Sequence, residues 1–194
     1  MPTMTRLDQN LREYAKLAVR AGVNLQPGQE LIVVADVAEA PFVRMIAEEA
    51  YDAGAIHVLP VYGDEPTTLI RFAHGSQQAI EYAPQWLPDM YAERLTAGTA
   101  YLRVLGSNPA LLRDVEPQKV AASSKAQAKA GKKMSEAVSQ THAPWSIVGY
   151  ASPAWAKLVF PDLAVDEAVD RLWQAIFMCS HVDTSDPVAS WNAH

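Results

Sequence analysis

The chain has 194 residues, of which 49% are hydrophobic and 20% are charged, a balance typical of a globular protein rather than a disordered tail or a membrane protein. Its formal net charge of -6 disfavours non-specific nucleic-acid binding, which needs a basic surface. Cys179 is the only cysteine, so an internal disulfide and a cysteine-based zinc site are excluded. The N-terminus lacks a secretion signal and no apolar run approaches the ~18 residues of a membrane span, which predicts a cytoplasmic protein.

Helical and strand patterns alternate along the chain. Apolar residues recur at spacings of three and four in the first segment, which predicts an amphipathic helix that Gly22 closes in the left-handed conformation. Pro27-Gly28 predicts a turn, and the continuous apolar run that follows predicts a strand buried on both faces. The predicted strands are 31–35, 56–62, 100–105 and 145–150, and the predicted helices are 5–21, 39–53, 64–74, 86–97, 117–140, 154–159 and 163–178.

This alternation predicts an α/β fold with a mostly parallel sheet of four to five strands and helices on both faces, a Rossmann-like or flavodoxin-like arrangement. Neither GxGxxG nor GxxxxGK[ST] occurs, so the fold carries no dinucleotide fingerprint and no phosphate-binding P-loop. No long linker divides the chain, which indicates one domain.

Polar residues follow three of the predicted strands. Open parallel sheets bind ligands at the carboxyl ends of their strands, so we expect Asp36, Asp64 and Asn108 to gather along that edge. The segment Gly106–Pro109 has two interpretations. Its backbone N–H groups could bind an anion, or Ser107 or Asn108 caps a helix that begins at the proline, which the composition favours.

Ser152 does not fit the nucleophile elbow of serine hydrolases, because the pattern G-x-S-x-G is broken in residues 149–153. The serine is followed by a proline, and this pair is typical of the start of a short helix. Nucleophilic catalysis is therefore disfavoured.

The C-terminal segment contains His181, Asp183, Asp186 and His194, and imidazole with carboxylate suits zinc. Alternate residues of an extended segment share one face, so the first two could reach one ion. The other histidines have no matching spacing and Asp186 precedes a proline, which is typical of a turn. Metal binding here is the less favoured interpretation.

Five lysines and no acidic residue occur between positions 117 and 135, in an alanine-rich segment of high helix propensity. We interpret them as a solvated helix face, with an acidic partner surface as the second possibility and nucleic acid as the third. These lysines are Lys119, Lys125, Lys129, Lys132 and Lys133.

Eight segments, taken in order, resemble the N-terminal domain of the thermophilic-type metallo-aminopeptidases, the family of aminopeptidase T, aminopeptidase S and PepS. The most specific are the run WSIVGY, the pattern P-x-W-A-K-x-V-F-P, the pattern L-W-x-A-I, and D-P-V-x-x-W-x-x-H at the end. The segments are Val23–Gln29, Glu39–Arg44, Gly106–Pro109, Trp145–Tyr150, Pro153–Pro161, Leu172–Ile176, Val182–Asp183 and Asp186–His194.

The resemblance implies that residues 1–180 form the N-terminal α/β domain and that 181–194 begin the linker to a C-terminal catalytic domain absent from this chain. It implies a cytoplasmic enzyme that removes N-terminal amino acids from peptides with two divalent ions, cobalt or zinc, and that is a homodimer at full length. The family's metal ligands lie in the absent domain, so no catalytic, cofactor-binding or metal-binding residue is assigned here. His181 stands where the family more often has a basic residue.

Two expectations follow. The chain alone is expected to be inactive as an aminopeptidase, and the alternative is a stand-alone α/β module that binds a small ligand or a protein. Trp191 has few residues after it to pack against, so we expect its side chain to be exposed or covered by a neighbouring molecule.

Overall fold

The computed structural model describes residues 5–140 and 143–193. Its four strands form one sheet in which every neighbouring pair is parallel, in the order β2-β1-β3-β4. The strands are β1 (Glu30–Asp36), β2 (His57–Gly63), β3 (Ala100–Leu105) and β4 (Trp145–Gly149). The predicted α/β fold and its four strand segments are confirmed.

Ten α-helices surround the sheet in the part of the chain that the structure describes. None of these helices is both long and apolar enough to cross a membrane. They are α1 (Arg6–Leu17), α2 (Ala40–Asp52), α3 (Glu65–His74), α4 (Gln77–Glu81), α5 (Trp86–Thr96), α6 (Pro117–Ala130), α7 (Lys132–Ser139), α8 (Pro153–Val159), α9 (Val165–Cys179) and α10 (Pro187–Asn192).

The two faces of β1 explain its uninterrupted apolar sequence. Leu31 and Val33 pack into a core formed with α1, α2 and α9, whereas Ile32 packs into a second core formed with α5 and α7. A central strand of a parallel sheet needs apolar side chains in both directions, since helices cover both faces.

Aromatic rings dominate the first core. Trp173 lies at its centre, with ring centroids 5.1 Å from Tyr150 and 5.3 Å from Phe177, and both Tyr14 and Phe42 contact it from α1 and α2. The four-residue spacing of Trp173 and Phe177 in α9 therefore marks a buried helix face.

Several predicted boundaries are wrong for local reasons. The predicted helix 117–140 is two helices separated at Gly131, a residue of low helix propensity. The first helix ends in a π-helical turn, Ala18–Gly22, and the left-handed residue is Asn24 (φ 42°) rather than Gly22. No helix begins at Pro109, where residues 109–114 form successive turns.

The C-terminal segment packs on the rest of the domain. Asp186, predicted to lie in a turn, accepts the Ala189 N–H at 3.0 Å and caps α10. Trp191 of α10 is 41% exposed, as expected, and its Nε1 donates to the Ser180 carbonyl at 2.8 Å. This hydrogen bond attaches α10 to the end of α9.

Candidate functional site

The strand order reverses between β1 and β3. The chain leaves β1 for β2 on one side and returns to place β3 on the other, so the loops after β1 and β3 diverge from a common point. Ligands of open α/β sheets bind in the crevice at such a point, outside the carboxyl ends of the strands. This edge of the sheet is therefore the candidate site.

The crevice is small and polar. It is a cavity of about 260 Å³ whose lining includes Asp36, Asp64, Glu65, Arg103 and Ser107. Two of the three residues predicted to gather at this edge, Asp36 and Asp64, line the cavity directly. The third, Asn108, donates its backbone N–H to the side chain of Glu65, which also lines the cavity. The expectation for this edge is confirmed.

Glu39 fills the point where the two loops diverge. Its side chain is 2% exposed, its Oε2 accepts the Asp36 N–H at 2.8 Å, and its carboxylate also accepts the N–H of Gly106 after β3. Burial raises the pKa of this carboxyl, the two backbone hydrogen bonds lower it in part, and the negative charges of Asp36 and Glu65 raise it further. Glu39 thus holds the loops of β1 and β3 together.

The position of Glu39 has a chemical consequence for ligands. In nucleotide-binding α/β proteins, backbone N–H groups at this place bind a phosphate. Here an internal carboxylate accepts those N–H groups, so an anion arriving at the crevice would meet a negative charge.

Two further hydrogen bonds connect the loops after all three strands. The Glu65 N–H donates to Asp36 Oδ2 at 3.2 Å, and the Asn108 N–H donates to Glu65 Oε1. The Asn108 side chain accepts the Ala110 N–H at 2.9 Å. Asn108 therefore stabilises the loop after β3, and the carboxylates of this edge act as acceptors for backbone groups.

Sequence reasoning missed the role of Glu39, which it placed only at the start of a helix. A sequence signal was available, because Asp36 and Glu39 have the spacing of a capping box. The Glu39 side chain accepts the Asp36 N–H, and the Asp36 side chain accepts a backbone N–H of the turn that follows it. The contact with Gly106 had no local signal, since these residues lie on different loops.

Gly106→Ala is expected to destabilise the chain by about 1–3 kcal/mol, because the added Cβ would lie 2.5 Å from Glu39 Oε1 and 2.8 Å from the Tyr150 carbonyl oxygen. Urea denaturation measures the change. Gly63→Ala at the same edge is the matched control, since its Cβ would meet nothing closer than 3.9 Å. Equal stabilities of the two variants would contradict this account of the loop packing.

The other candidates lie apart from this crevice. Ser152 caps α8, with its Oγ accepting the Trp155 N–H at 3.2 Å, as the favoured interpretation predicted. His181 is exposed in a turn after α9, Asp183 is exposed nearby, and His194 lies outside the described residues. Across residues 5–140 and 143–193, no group of three or more histidine, cysteine, aspartate or glutamate side chains could hold a metal ion. The metals implied by the resemblance therefore do not fit the described side chains.

Three of the five lysines form ion pairs on the surface of α6 and α7. Lys119 lies 4.0 Å from Glu116, Lys132 lies 3.8 Å from Glu136, and Lys133 lies 3.3 Å from Asp89 of α5. These exposed pairs agree with a solvated helix face.

The sequence matches the thermophilic metalloprotease family (M29) over residues 7–194. The chain belongs to this family. It is 41% identical to aminopeptidase T of Thermus thermophilus over 191 residues, which are 98% of this chain and 47% of that protein.

Other members show the same coverage. Aminopeptidase 2 of Geobacillus stearothermophilus is also 41% identical, with 98% of this chain and 46% of that protein aligned. A solved structure of wild-type AmpT from Thermus thermophilus superposes with a TM-score of 0.90 at 40% identity, covering 97% of this chain and 46% of that one. The M29 chain described here spans about half the length of the curated relatives that it matches.

Proposed function

We propose that this M29 chain acts as the N-terminal domain of a metal-dependent aminopeptidase that removes N-terminal amino acids from peptides in the cytoplasm. In this proposal residues 1–180 form the domain and 181–194 lead to a catalytic half. The observation that carries it is the 41% identity to aminopeptidase T across 98% of this chain but only 47% of that protein.

The same proposal assigns the catalytic chemistry to the other half. Two divalent ions, cobalt or zinc, and the residues that hold them belong there, and the full-length protein is a homodimer. In this proposal the chain forms one wall of the substrate cavity and helps to orient the peptide. No reaction step is assigned to its side chains, since the described residues offer no metal site.

A stand-alone module for a small ligand is the alternative, and the crevice at the carboxyl edge of the sheet is the observation that bears on it. Arg103 and Ser107 line this cavity and offer hydrogen-bond donors. The buried Glu39 carboxylate and the acidic lining disfavour phosphate-containing ligands there. The aminopeptidase assignment therefore has the stronger support.

The isolated chain is expected to give only the blank rate with leucyl-p-nitroanilide, with or without added cobalt or zinc, because the residues that the structure describes include no set of ligands for two metals. Purified protein is assayed across the elution peak. Turnover that follows the protein through the peak would contradict the assignment of catalysis to another half.

A chimera tests whether this chain can serve as the N-terminal domain of an active aminopeptidase. This chain replaces the matching part of aminopeptidase T from Thermus thermophilus, and metal-dependent hydrolysis is expected, since the two folds superpose with a TM-score of 0.90. The parent enzyme is the control. A folded chimera that binds metal like the parent but shows no turnover would contradict a role in a shared active-site cavity.

A further inference from the structure

The crevice at the carboxyl edge of the sheet holds one positive charge among several negative ones. Asp36, Asp64 and Glu65 line this cavity together with Arg103. Within the part of the chain that the structure describes, Arg103 forms no ion pair with any carboxylate. Charges of opposite sign thus line the same small space without neutralising each other, and a ligand that carries both charges would complete the arrangement.

The fold fixes the position of Arg103. It lies on β3 in register with Val34 of β1, on the face of the sheet that carries the second core. Burial raises the pKa of Tyr101, which precedes it on this face, and the positive charge of Arg103 lowers that pKa in part, so the two groups are close together. Arg103 itself is exposed. Its side chain therefore extends from the edge of the second core with a charged end that a ligand can reach.

Two carboxylates of the cavity keep an oxygen for a further donor. Both oxygens of Asp36 already accept backbone N–H groups. Asp64 accepts only through Oδ2, from the N–H and the hydroxyl of Thr67, and Glu65 accepts only through Oε1, from the Asn108 N–H. Asp64 Oδ1 and Glu65 Oε2 accept no hydrogen bond from the described residues, so both can receive the donors of an ammonium group.

The cavity is small and partly apolar. Its lining includes the aliphatic residues Val34, Val104 and Leu111. Its volume of about 260 Å³ lies below the ~300–1,000 Å³ typical of pockets for drug-sized ligands, so the occupant has few non-hydrogen atoms. The charged groups therefore surround a space that suits a short aliphatic side chain.

Two other classes of ligand fit this lining poorly. Across residues 5–140 and 143–193, no group of three or more histidine, cysteine, aspartate or glutamate side chains could hold a metal ion. A phosphate would find the N–H groups of Asp36 and Gly106 already bonded to Glu39, and it would meet the repulsion of the acidic lining. A zwitterion meets neither obstacle, because each of its charges has a partner of opposite sign.

We propose that this crevice binds a free α-amino acid with a short aliphatic side chain. The α-carboxylate pairs with the Arg103 guanidinium and accepts a hydrogen bond from the Ser107 hydroxyl, while the α-ammonium donates to Asp64 and Glu65. The side chain lies against the aliphatic part of the lining. The site goes beyond the aminopeptidase assignment and does not rest on it, since it needs no residue outside this chain. Under that assignment the ligand belongs to the class of molecules that the enzyme releases.

Analogues that lack one charge test the two ends of the ligand separately. An NMR titration of the isotope-labelled chain with L-valine is expected to shift the amide signals of residues 63–65 and 103–107, with a dissociation constant below about 1 mM. L-Valinamide has no carboxylate and N-acetyl-L-valine has no ammonium. Each is expected to bind at least about tenfold more weakly than L-valine, because each loses charge-assisted hydrogen bonds.

Arg103→Gln tests the carboxylate end. The variant is expected to bind L-valine at least about tenfold more weakly than wild type and to bind it no better than L-valinamide, because glutamine supplies no charge. A change of preference between these two ligands is a result that a merely structural role would not produce. Arg113→Gln, in the turns 109–114 and outside the cavity lining, is the control for the lost charge, and circular dichroism verifies that each variant folds.

Asp64→Asn tests the ammonium end. Asparagine also caps helices, so α3 is expected to persist, whereas affinity for L-valine is expected to fall roughly tenfold with the loss of a charged acceptor. The preference for L-valine over N-acetyl-L-valine is expected to decrease with it. Asp52→Asn, at the exposed end of α2, removes the same charge away from the cavity and is expected to bind like wild type.

Four results would overturn the proposal. These are no binding of L-valine at about tenfold above the expected dissociation constant, signal shifts confined to another part of the chain, an analogue that binds as tightly as L-valine, and an Arg103→Gln variant that binds like wild type. The titration measures binding to this chain alone. An inactive chimera would therefore contradict the proposed function and leave the binding result unchanged.

Discussion

Trp173→Ala is expected to lower the free energy of unfolding by about 3–5 kcal/mol, the range for deleting a large aromatic side chain from a core. Trp173 is buried and contacts rings from α1, α2 and the end of β4, so its removal leaves a cavity that no single neighbour can fill. Urea denaturation followed by circular dichroism measures the loss.

Trp86→Ala is the matched control for the core variant. Trp86 begins α5 and is 69% exposed, so its truncation is expected to change stability by less than about 0.5 kcal/mol. If the two tryptophan variants were equally stable, Trp173 would not be the centre of the first core, and the attachment of α9 to the sheet would need another explanation.

Glu39→Ala is expected to destabilise the chain by about 2–4 kcal/mol. The substitution leaves the N–H groups of Asp36 and Gly106 without their acceptor, and an unsatisfied buried donor costs ~1–3 kcal/mol. It also separates the loops after β1 and β3. Thermal and urea denaturation at neutral pH provide the measurement.

Glu48→Ala, in the helix α2 that follows Glu39, provides the comparison. Glu48 lies on the exposed face of α2 and pairs with Arg12 at 2.8 Å, a surface ion pair of the kind that contributes ~0–1 kcal/mol. A Glu39 variant as stable as the Glu48 variant would show that water or neighbouring groups replace the buried carboxylate without cost.

The raised pKa of Glu39 gives its contribution a defined pH dependence. Because the pKa lies above its usual value of 4.5, the folded chain holds the proton more tightly than the unfolded chain does. The folded state favours the protonated form, so the part of this contribution that is linked to proton binding is complete below pH 4.5 and is lost as the pH rises through the raised pKa, whereas the hydrogen bonds to backbone N–H groups still contribute at neutral pH. The free energy of unfolding of wild type, minus that of Glu39→Gln, is therefore expected to decrease as the pH rises over that interval. An increase of this difference with pH would reverse the assigned direction.

Local patterns sufficed for many elements of this protein. The apolar run 31–35 predicted a strand covered on both faces, and the Ser152-Pro153 pair predicted the cap of α8. These predictions succeed because hydrophobic periodicity and capping act between residues a few positions apart. The helix expected at Pro109 failed although its signal was also local. There the Asn108 N–H donates to Glu65, the first residue of α3 after β2, and the chain continues in turns.

The amino-acid sequence by itself therefore determined the α/β class, the positions of the strands and the membership of a recognisable family. Only the tertiary structure decided the strand order, the burial of Glu39 between two loops and the exposure of Trp145 and Ile147 on an open edge. Those features depend on contacts between residues far apart in the chain, and a carboxylate or an apolar side chain has the same local pattern whichever neighbour the fold places beside it. The physical reason is that burial and hydrogen bonding act through space, whereas periodicity and capping act along the chain.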